Sequence, residues 1–501
     1  MMDKLPSQID TYTPTREQSA VIVSGIVSMG LEILAGRVLA PEFGNSIYTW
    51  GSIIGISMLA LSLGYHYGGK SSKNIDFNDL SRYLTYTALY IVALIYFGDM
   101  FLTLSSALPV PARYAAIIPV TVLFGPPTYF LGFISPYAVQ LSKKEEKGEA
   151  SGHFYAVGTA GSIIGAFGTT FILIPSLSVD MIYTLFATLA ALPVISGLRS
   201  GLKDGTLLLI PGILIAGVVL GGTGPVTGDT VHEESTPYQE LRVADDGNVR
   251  TLYLDGQPQS STYTDSTPEY VWDYLDYFHI PFLMREDIDN VLFIGGGGFT
   301  APQKFAEMNV SVDAVEIDPR VIDTAEKYFN LSESANLNVY EGDGRNFLEA
   351  SEKEYDVIYL DAYKKAEVPF HLTTKEFMDL AYEKTDENGI VVSNIISTAS
   401  GPGSEFSKSQ FNTIDSVFER TYFFPTRNTS LAQNIEIIGS KKDHSIENLR
   451  QKAIKYEEKN LTDELATYRE LNPGDAQILR DDYAPVEELL NPLIGAKYRP
   501  E

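Results

Sequence analysis

Three carboxylates, Glu316, Asp343 and Asp361, each stand at or just after the end of a short apolar run, and Gly295, Gly296, Gly297 and Gly298 follow another such run. The runs, at 291–294, 311–316, 337–340 and 355–360, have the length and composition of buried strands. A glycine run at a strand end frees backbone N–H groups and lets a ligand approach the chain closely. A carboxylate ending the next strand can accept both hydroxyls of a ribose, and Glu316 lies 21 residues beyond Gly295, the spacing expected for that role. Asp343 is placed to bond an adenine amino group, and Asp361 to face the reacting centre. Taken singly, the glycines also suit a tight turn, and Asp361 a helix N-cap. At four successive strand ends, these features together point to an adenosine site.

The surrounding pattern supplies the elements that must position them. Residues 299–308, 319–329 and 374–384 have helical spacing, and 389–394 reads as a fifth strand. Alternating strands and helices imply a mainly parallel, doubly wound, Rossmann-like α/β domain. Ahead of it, β-type runs around 239–243 and 250–254 flank Asp245-Asp246-Gly247-Asn248, the signature of a small N-terminal β-hairpin. Residues 267–285 read as a helix with Tyr270, Tyr274, Tyr277 and Phe278 on one face. Further on, 433–439 reads as a last strand and 447–468 as a charged helical region, with Asp481 and Asp482 either structural or near the site opening.

The first half of the chain differs. Residues 1–228 hold 13 acidic and 12 basic residues, and residues 229–501 the other 51 and 25. Seven apolar stretches, 19–40, 47–67, 83–108, 112–140, 155–176, 179–198 and 204–222, are long enough to cross a bilayer. Pro126-Pro127 should break the fourth. The organisation expected is therefore an α-helical transmembrane bundle of about seven spans (1–222), a linker (223–236) and an α/β domain (237–501). Gly51-Ser-Ile-Ile-Gly55 and Gly161-Ser-Ile-Ile-Gly165 repeat a motif that brings helices close. Glu32, Arg37, His66 and Asp99 put ionisable groups in or near the spans, where they serve a functional site, a local ion pair or an interfacial anchor.

Composition excludes several classes. The formal net charge of -27 argues against nucleic acid as a partner. The chain has no cysteine, and none of its six histidines stand at His-x-x-x-His spacing, so no thiolate nucleophile, disulfide framework or His-rich metal site is expected.

Residues 237–400 resemble spermidine synthases, the polyamine aminopropyltransferases. The strings that carry the resemblance are Pro237-Tyr238-Gln239, Leu254-Asp255-Gly256 with Gln259, the glycine run, Val315-Glu316-Ile317-Asp318-Pro319, Gly342-Asp343-Gly344-Arg345 and Tyr355-Asp-Val-Ile-Tyr-Leu-Asp361. The segment Val368-Pro-Phe-His371-Leu-Thr-Thr adds to them. Together they cover about a third of the chain, and the whole chain resembles membrane-fused spermidine synthase-like proteins. The resemblance implies that Gln239, Gln259, Gly295, Gly296, Gly297, Glu316, Asp343 and Gly344 bind decarboxylated S-adenosylmethionine or S-adenosylmethionine as co-substrate, with no metal. Glu316 would hold the ribose and Asp343 the adenine. Asp361 matches the catalytic aspartate that helps deprotonate the attacking amine. Tyr270, with a two-residue insertion, matches the assisting tyrosine, and Tyr238 and Lys364 fall on the substrate side. Soluble relatives are dimers or tetramers, so a homo-oligomer is implied.

The sequence also departs from the family. Gly298 stands where the family has an Asp that pairs with the co-substrate's amino group. Lys364, beside Lys365, stands where it has a second Asp, and Val271 where it has a polar residue. Lys364 suits a phosphate or carboxylate, or is an exposed loop lysine. Three functions follow as expectations: aminopropyl transfer to a small-molecule amine, methyl transfer to a lipid or other anionic membrane-bound acceptor, or polyamine or nucleoside transport with a sensing domain. Positive charges between the spans place the N-terminus in the cytoplasm, and seven spans would then put the acidic domain outside. The sequons at Asn309, Asn330, Asn428 and Asn460 agree with that placement. Sulfonium nucleotides are made in the cytoplasm, however, so the domain is expected there, with one span fewer or more.

Overall fold

The computed structural model describes residues 15–43, 47–106, 108, 110, 112–142, 147–198, 229–236, 238–265, 267, 269–332, 334–362, 368–401, 403–456 and 458–493. The chain divides into a helical unit in its N-terminal half and an α/β unit that takes in residues 224–501.

Among the described residues of the helical unit, five helices are long and apolar enough to cross a membrane: Arg16–Ala40, Ile47–Ser71, Phe77–Ser106, Ile117–Leu141 and Gly148–Leu173. A further apolar helix, Val179–Leu198, follows. The seventh stretch, 204–222, lies outside the described residues. The expected break in the fourth stretch takes the form of a π-type turn, Val120–Phe124, followed by a new helical segment with proline at its start. The ring at Pro126-Pro127 cannot donate to the preceding turn, and the wider hydrogen-bond spacing absorbs the mismatch. The two GSIIG strings behave differently. A Cβ at Gly161 or Gly165 would overlap the backbone carbonyls of Ile22 and Ile26, so these glycines let two helices meet at backbone distance. A Cβ at Gly51 or Gly55 would meet nothing within 4 Å among the described residues.

The α/β unit begins with a four-stranded antiparallel sheet of β1 (Asp229–Ser235), β2 (Glu240–Asp246), β3 (Val249–Leu254) and β4 (Gln257–Tyr263), in that order. β2 and β3 pair across Gly247-Asn248, and the sheet extends beyond them on both sides. β1 occupies part of the segment read as linker. Its sequence, DTVHEES, is polar, and pairing with β2 rather than composition makes it a strand.

The second sheet has seven strands: β5 (Asn290–Ile294), β6 (Ser311–Glu316), β7 (Leu337–Glu341), β8 (Tyr355–Leu360), β9 (Thr385–Ser397), β10 (Arg420–Pro425) and β11 (Gln433–Ser440). Their order is β10-β11-β9-β8-β5-β6-β7. β5 to β9 are parallel, and β11 and β10 add antiparallel at one edge. Val291, Phe293, Val312, Ala314 and Tyr359 face one apolar core, and Leu292, Ile294, Val315, Ile358 and Leu360 the other. Parallel strands covered on both faces need such unbroken apolar runs.

Two helical expectations change. Residues 267–285 are not one helix: a 3₁₀ turn, Asp273–His279, leads into a short helix, Ile280–Met284, and Trp272 before it is extended. The threefold repeat of a 3₁₀ turn aligns Tyr274 with Tyr277, and Tyr270 precedes the turn. Residues 447–468 likewise divide into Ile446–Ala453 and Thr462–Ala466.

Candidate active site

A cavity of about 440 Å³ opens over the carboxyl ends of β5, β6 and β8. There the chain leaves each strand with free backbone groups, which is where doubly wound sheets bind ligands. Gly295 (φ +102°) is demanded by the close approach of β8, because a Cβ would overlap the Asp361 carbonyl oxygen. Gly297 (φ +51°) and the left-handed Phe299 then turn the chain into the helix Thr300–Glu307.

At the end of β6, the Glu316 carboxylate accepts hydrogen bonds from the Gly296 N–H (2.9 Å), the Gly297 N–H (3.4 Å) and the Asp318 N–H (3.0 Å). Burial pushes its pKa up, and these N–H donors oppose that shift. A carboxylate has about four acceptor sites, so one remains for a ligand hydroxyl. Asp318 is itself tied to the first sheet, accepting from Thr236 Oγ1 (2.6 Å) and Gln239 Nε2 (3.2 Å). Gln239 thus reaches the site edge from just before β2, while Gln259 and Ser260 of β4 line the cavity.

Asp343 caps the helix Gly344–Ala350 through the Asn346 N–H (2.9 Å) and pairs with His371 Nε2 (2.9 Å). Asp481 is structural, accepting from Arg345 (2.8 Å) and Thr374 (2.7 Å). Arg345 lowers the Asp481 pKa by hydrogen bonding and charge.

Asp361 follows β8. It lines the cavity and is half-buried. Burial pushes its pKa up to about 7, against the opposing hydrogen bond from Asn394 Nδ2 (2.7 Å). A carboxyl group that titrates near neutrality can take up a proton at working pH.

Gln239, Gln259, Gly295, Gly296, Gly297, Glu316, Asp343, Gly344, Tyr238 and Asp361 all line this one cavity. Tyr270 does not. It is buried behind the wall, its hydroxyl 3.3 Å from His279 Nε2 and its ring under Lys304 Nζ, 3.8 Å from the centroid. The other His279 nitrogen is 3.2 Å from the Tyr456 hydroxyl, and burial lowers the imidazole pKa to about 4. From this segment Trp272 and Tyr274 line the cavity. Lys364 and Lys365 lie outside the described residues.

Sequence reasoning missed Asn394, Asn434 and Ser260. The first two come from β9 and the antiparallel β11; both strands are legible in the sequence, but their pairing beside Asp361 is not. Ser260 explains Gly298: its Oγ accepts from the Gly298 N–H (2.9 Å), and its Cβ would lie 2.9 Å from a Cβ at that position. The acid usual there has no room.

Residues 276–443 match the spermine/spermidine synthase domain family. The matched residues lie within the α/β unit. The chain is 30% identical over 179 residues to a polyamine aminopropyltransferase of Vibrio vulnificus, covering 34% of this chain and 60% of that protein. It is 33% identical over 230 residues to a probable polyamine aminopropyl transferase of Bifidobacterium longum, covering 41% and 50%. It thus spans half to three fifths of these curated relatives. A probable spermidine synthase from Corynebacterium glutamicum superposes with a TM-score of 0.43 at 18% identity, over 52% of this chain and 97% of that one.

Proposed function

We propose that the protein is a membrane-anchored transferase that moves the aminopropyl group of decarboxylated S-adenosylmethionine to an amine acceptor. The observation that carries this reading is Asp361, a carboxyl group with a pKa of about 7 sharing a cavity with Glu316 and the glycine loop. The residues present fit the co-substrate: Glu316 keeps an acceptor site for a ribose hydroxyl, Gly295 lets a ligand lie against the backbone, and Trp272 and Tyr274 supply an aromatic wall. The sulfonium supplies a carbon with a good leaving group. The acceptor nitrogen forms a bond to that carbon, the carbon–sulfur bond breaks with its electron pair going to sulfur, and the nitrogen loses one proton.

Asp361 orients the amine by charge and receives that proton, while Asn394 holds the carboxylate in place. Amine-dependent release of methylthioadenosine by detergent-purified protein tests the reading. Release of S-adenosylhomocysteine from S-adenosylmethionine on addition of an anionic membrane lipid would instead establish methyl transfer to such an acceptor, a second reading favoured by the crowding of any side chain at Gly298.

The five long apolar helices support anchoring in a bilayer, and the need for a sulfonium nucleotide puts the α/β unit on the cytoplasmic side. Protease digestion of that unit from outside intact cells would overturn this side assignment.

A further inference from the structure

The helical unit holds a second cavity, of about 340 Å³, that takes no part in the chemistry above. It forms where the helices Ile47–Ser71, Ile117–Leu141 and Gly148–Leu173 converge. Gly64 and Gly68 hold the first of these helices against the second at backbone distance: a Cβ at Gly64 would overlap the Tyr129 carbonyl oxygen, and one at Gly68 would lie 3.0 Å from the Phe133 Cα. Ser71 Oγ, 2.9 Å from Tyr137 Oη, closes the same seam. One position further round that helix, Tyr65, Gly69 and Ser72 line the cavity instead. Ser135 and Gln140 line it from the second helix, and Ser151 and Tyr155 from the third.

The cavity sits at one end of these three helices. Ser72 follows the last residue of its helix, Gln140 is one residue from the end of its own, and Ser151 is close to the start of the third. At about 1.5 Å of rise per residue, Tyr65 is only about 10 Å from Ser72 along the axis. In a bilayer this depth belongs to the headgroup layer and its border, where tyrosine concentrates. Tyr65 and Tyr155 are exposed among the described residues, so the cavity reaches the surface of the helical unit.

The polar side chains that line it are hydroxyls and an amide, and no carboxylate or cation is among its described lining residues. The Ser135 and Ser151 hydroxyls have no hydrogen-bond partner among the described residues. Ser72 Oγ donates to the Gly69 carbonyl (2.9 Å) and keeps its lone pairs. Hydroxyls and amides both donate and accept. An ammonium only donates and calls for carboxylates, whereas a bare phosphate only accepts and calls for cations. A polyol does both, and it is the group this lining matches.

We propose that this cavity binds the polyol headgroup of a membrane lipid. Met58 and Ile54 stand on the same stripe as Tyr65, two and three turns further along the helix, and both are exposed. They offer the acyl chains an apolar track below the headgroup. The inference rests on the bilayer reading of the helical unit and adds a ligand to it.

The test uses full-length protein stripped of lipid in a detergent that carries no sugar. The probes are phosphatidylglycerol, phosphatidic acid with the same chains, and glycerol alone, and the readouts are affinity and thermal shift. Phosphatidylglycerol should bind about 10-fold more tightly than phosphatidic acid, the worth of one or two hydrogen bonds. Glycerol alone should leave the melt unchanged at the same concentrations. The double variant Ser135→Ala, Ser151→Ala should bring the two lipids to within about twofold of each other, and Gln140→Leu reads the same preference should the double variant fail to fold. No lipid binding, equal affinity for the two lipids in the wild type, or a preference that the variants keep overturns the inference and leaves bilayer anchoring standing. Glycerol that binds as tightly as phosphatidylglycerol overturns the lipid as the source of the polyol. Protein that stays in solution without detergent overturns anchoring, and the inference falls with it.

Discussion

The two ends of the cavity solve opposite problems. At the β6 end, every carboxylate already has partners: Glu316 has three backbone N–H groups, Asp343 has Asn346 and His371, and Asp318 has Thr236 and Gln239. At the β8–β9–β11 end, Asp361 accepts from Asn394, and behind the lining Glu436 has no hydrogen-bond partner among the described residues. A satisfied network is rigid and selects shape. An under-satisfied acid such as Asp361 is poised to take up a proton. The same fold thus places binding where hydrogen bonds close and reactivity where they stay open.

The sharpest way to break this comparison is Asp361→Asn. It keeps the shape and removes the base, so kcat should fall by about 10²–10⁴-fold while co-substrate affinity holds. A kcat within tenfold of wild type would move the reactive group elsewhere.

In the wild type, kcat/KM should fall as pH drops through about 7, because Asp361 must be ionised to accept a proton. The same shift has a stability consequence. The folded-state pKa is raised, so the proton is held more tightly in the folded protein, and stability from this group is lost as pH rises from the unfolded value through about 7. Asp361→Asn should therefore melt higher than wild type above pH 7, and thermal melts across pH check this.

Smaller effects belong to the satisfied end. Glu316→Gln replaces an acceptor that serves three N–H groups, and the affinity for decarboxylated S-adenosylmethionine should weaken by about 10-fold, roughly 1.4 kcal/mol, in calorimetry. An effect mainly on kcat would contradict a purely binding role. Smallest is Tyr270→Phe. Its hydroxyl faces His279 behind the wall, so kcat should stay within about twofold, whereas a tenfold loss would return Tyr270 to the reacting centre.

Much of this was legible in the residues. Strand ends are marked by an abrupt change from apolar to glycine or acid, so Glu316, Asp343 and Asp361 could be placed before any fold was known. Strands made by pairing alone were not legible: β1 and β4 are polar and carry no apolar run, and β10 occupies an edge reached only through β11. The helix expected over 267–285 gave way to a 3₁₀ turn because aromatic spacing cannot distinguish an α-helix from a 3₁₀ turn with an extended lead. The GSIIG strings make the same point: one packs helix on helix and the other meets nothing among the described residues, and no pentapeptide encodes its neighbour.

The sequence by itself determined the division into an apolar helical half and an acidic α/β half, and the order of groups around the nucleoside end, because hydropathy period and strand-end chemistry are local properties. Tertiary structure alone decided which side chains complete the Asp361 end. Asn394 and Asn434 come together beside Asp361 only after β11 folds back antiparallel onto β9, and the burial that raises the Asp361 pKa exists only once those strands have closed over it.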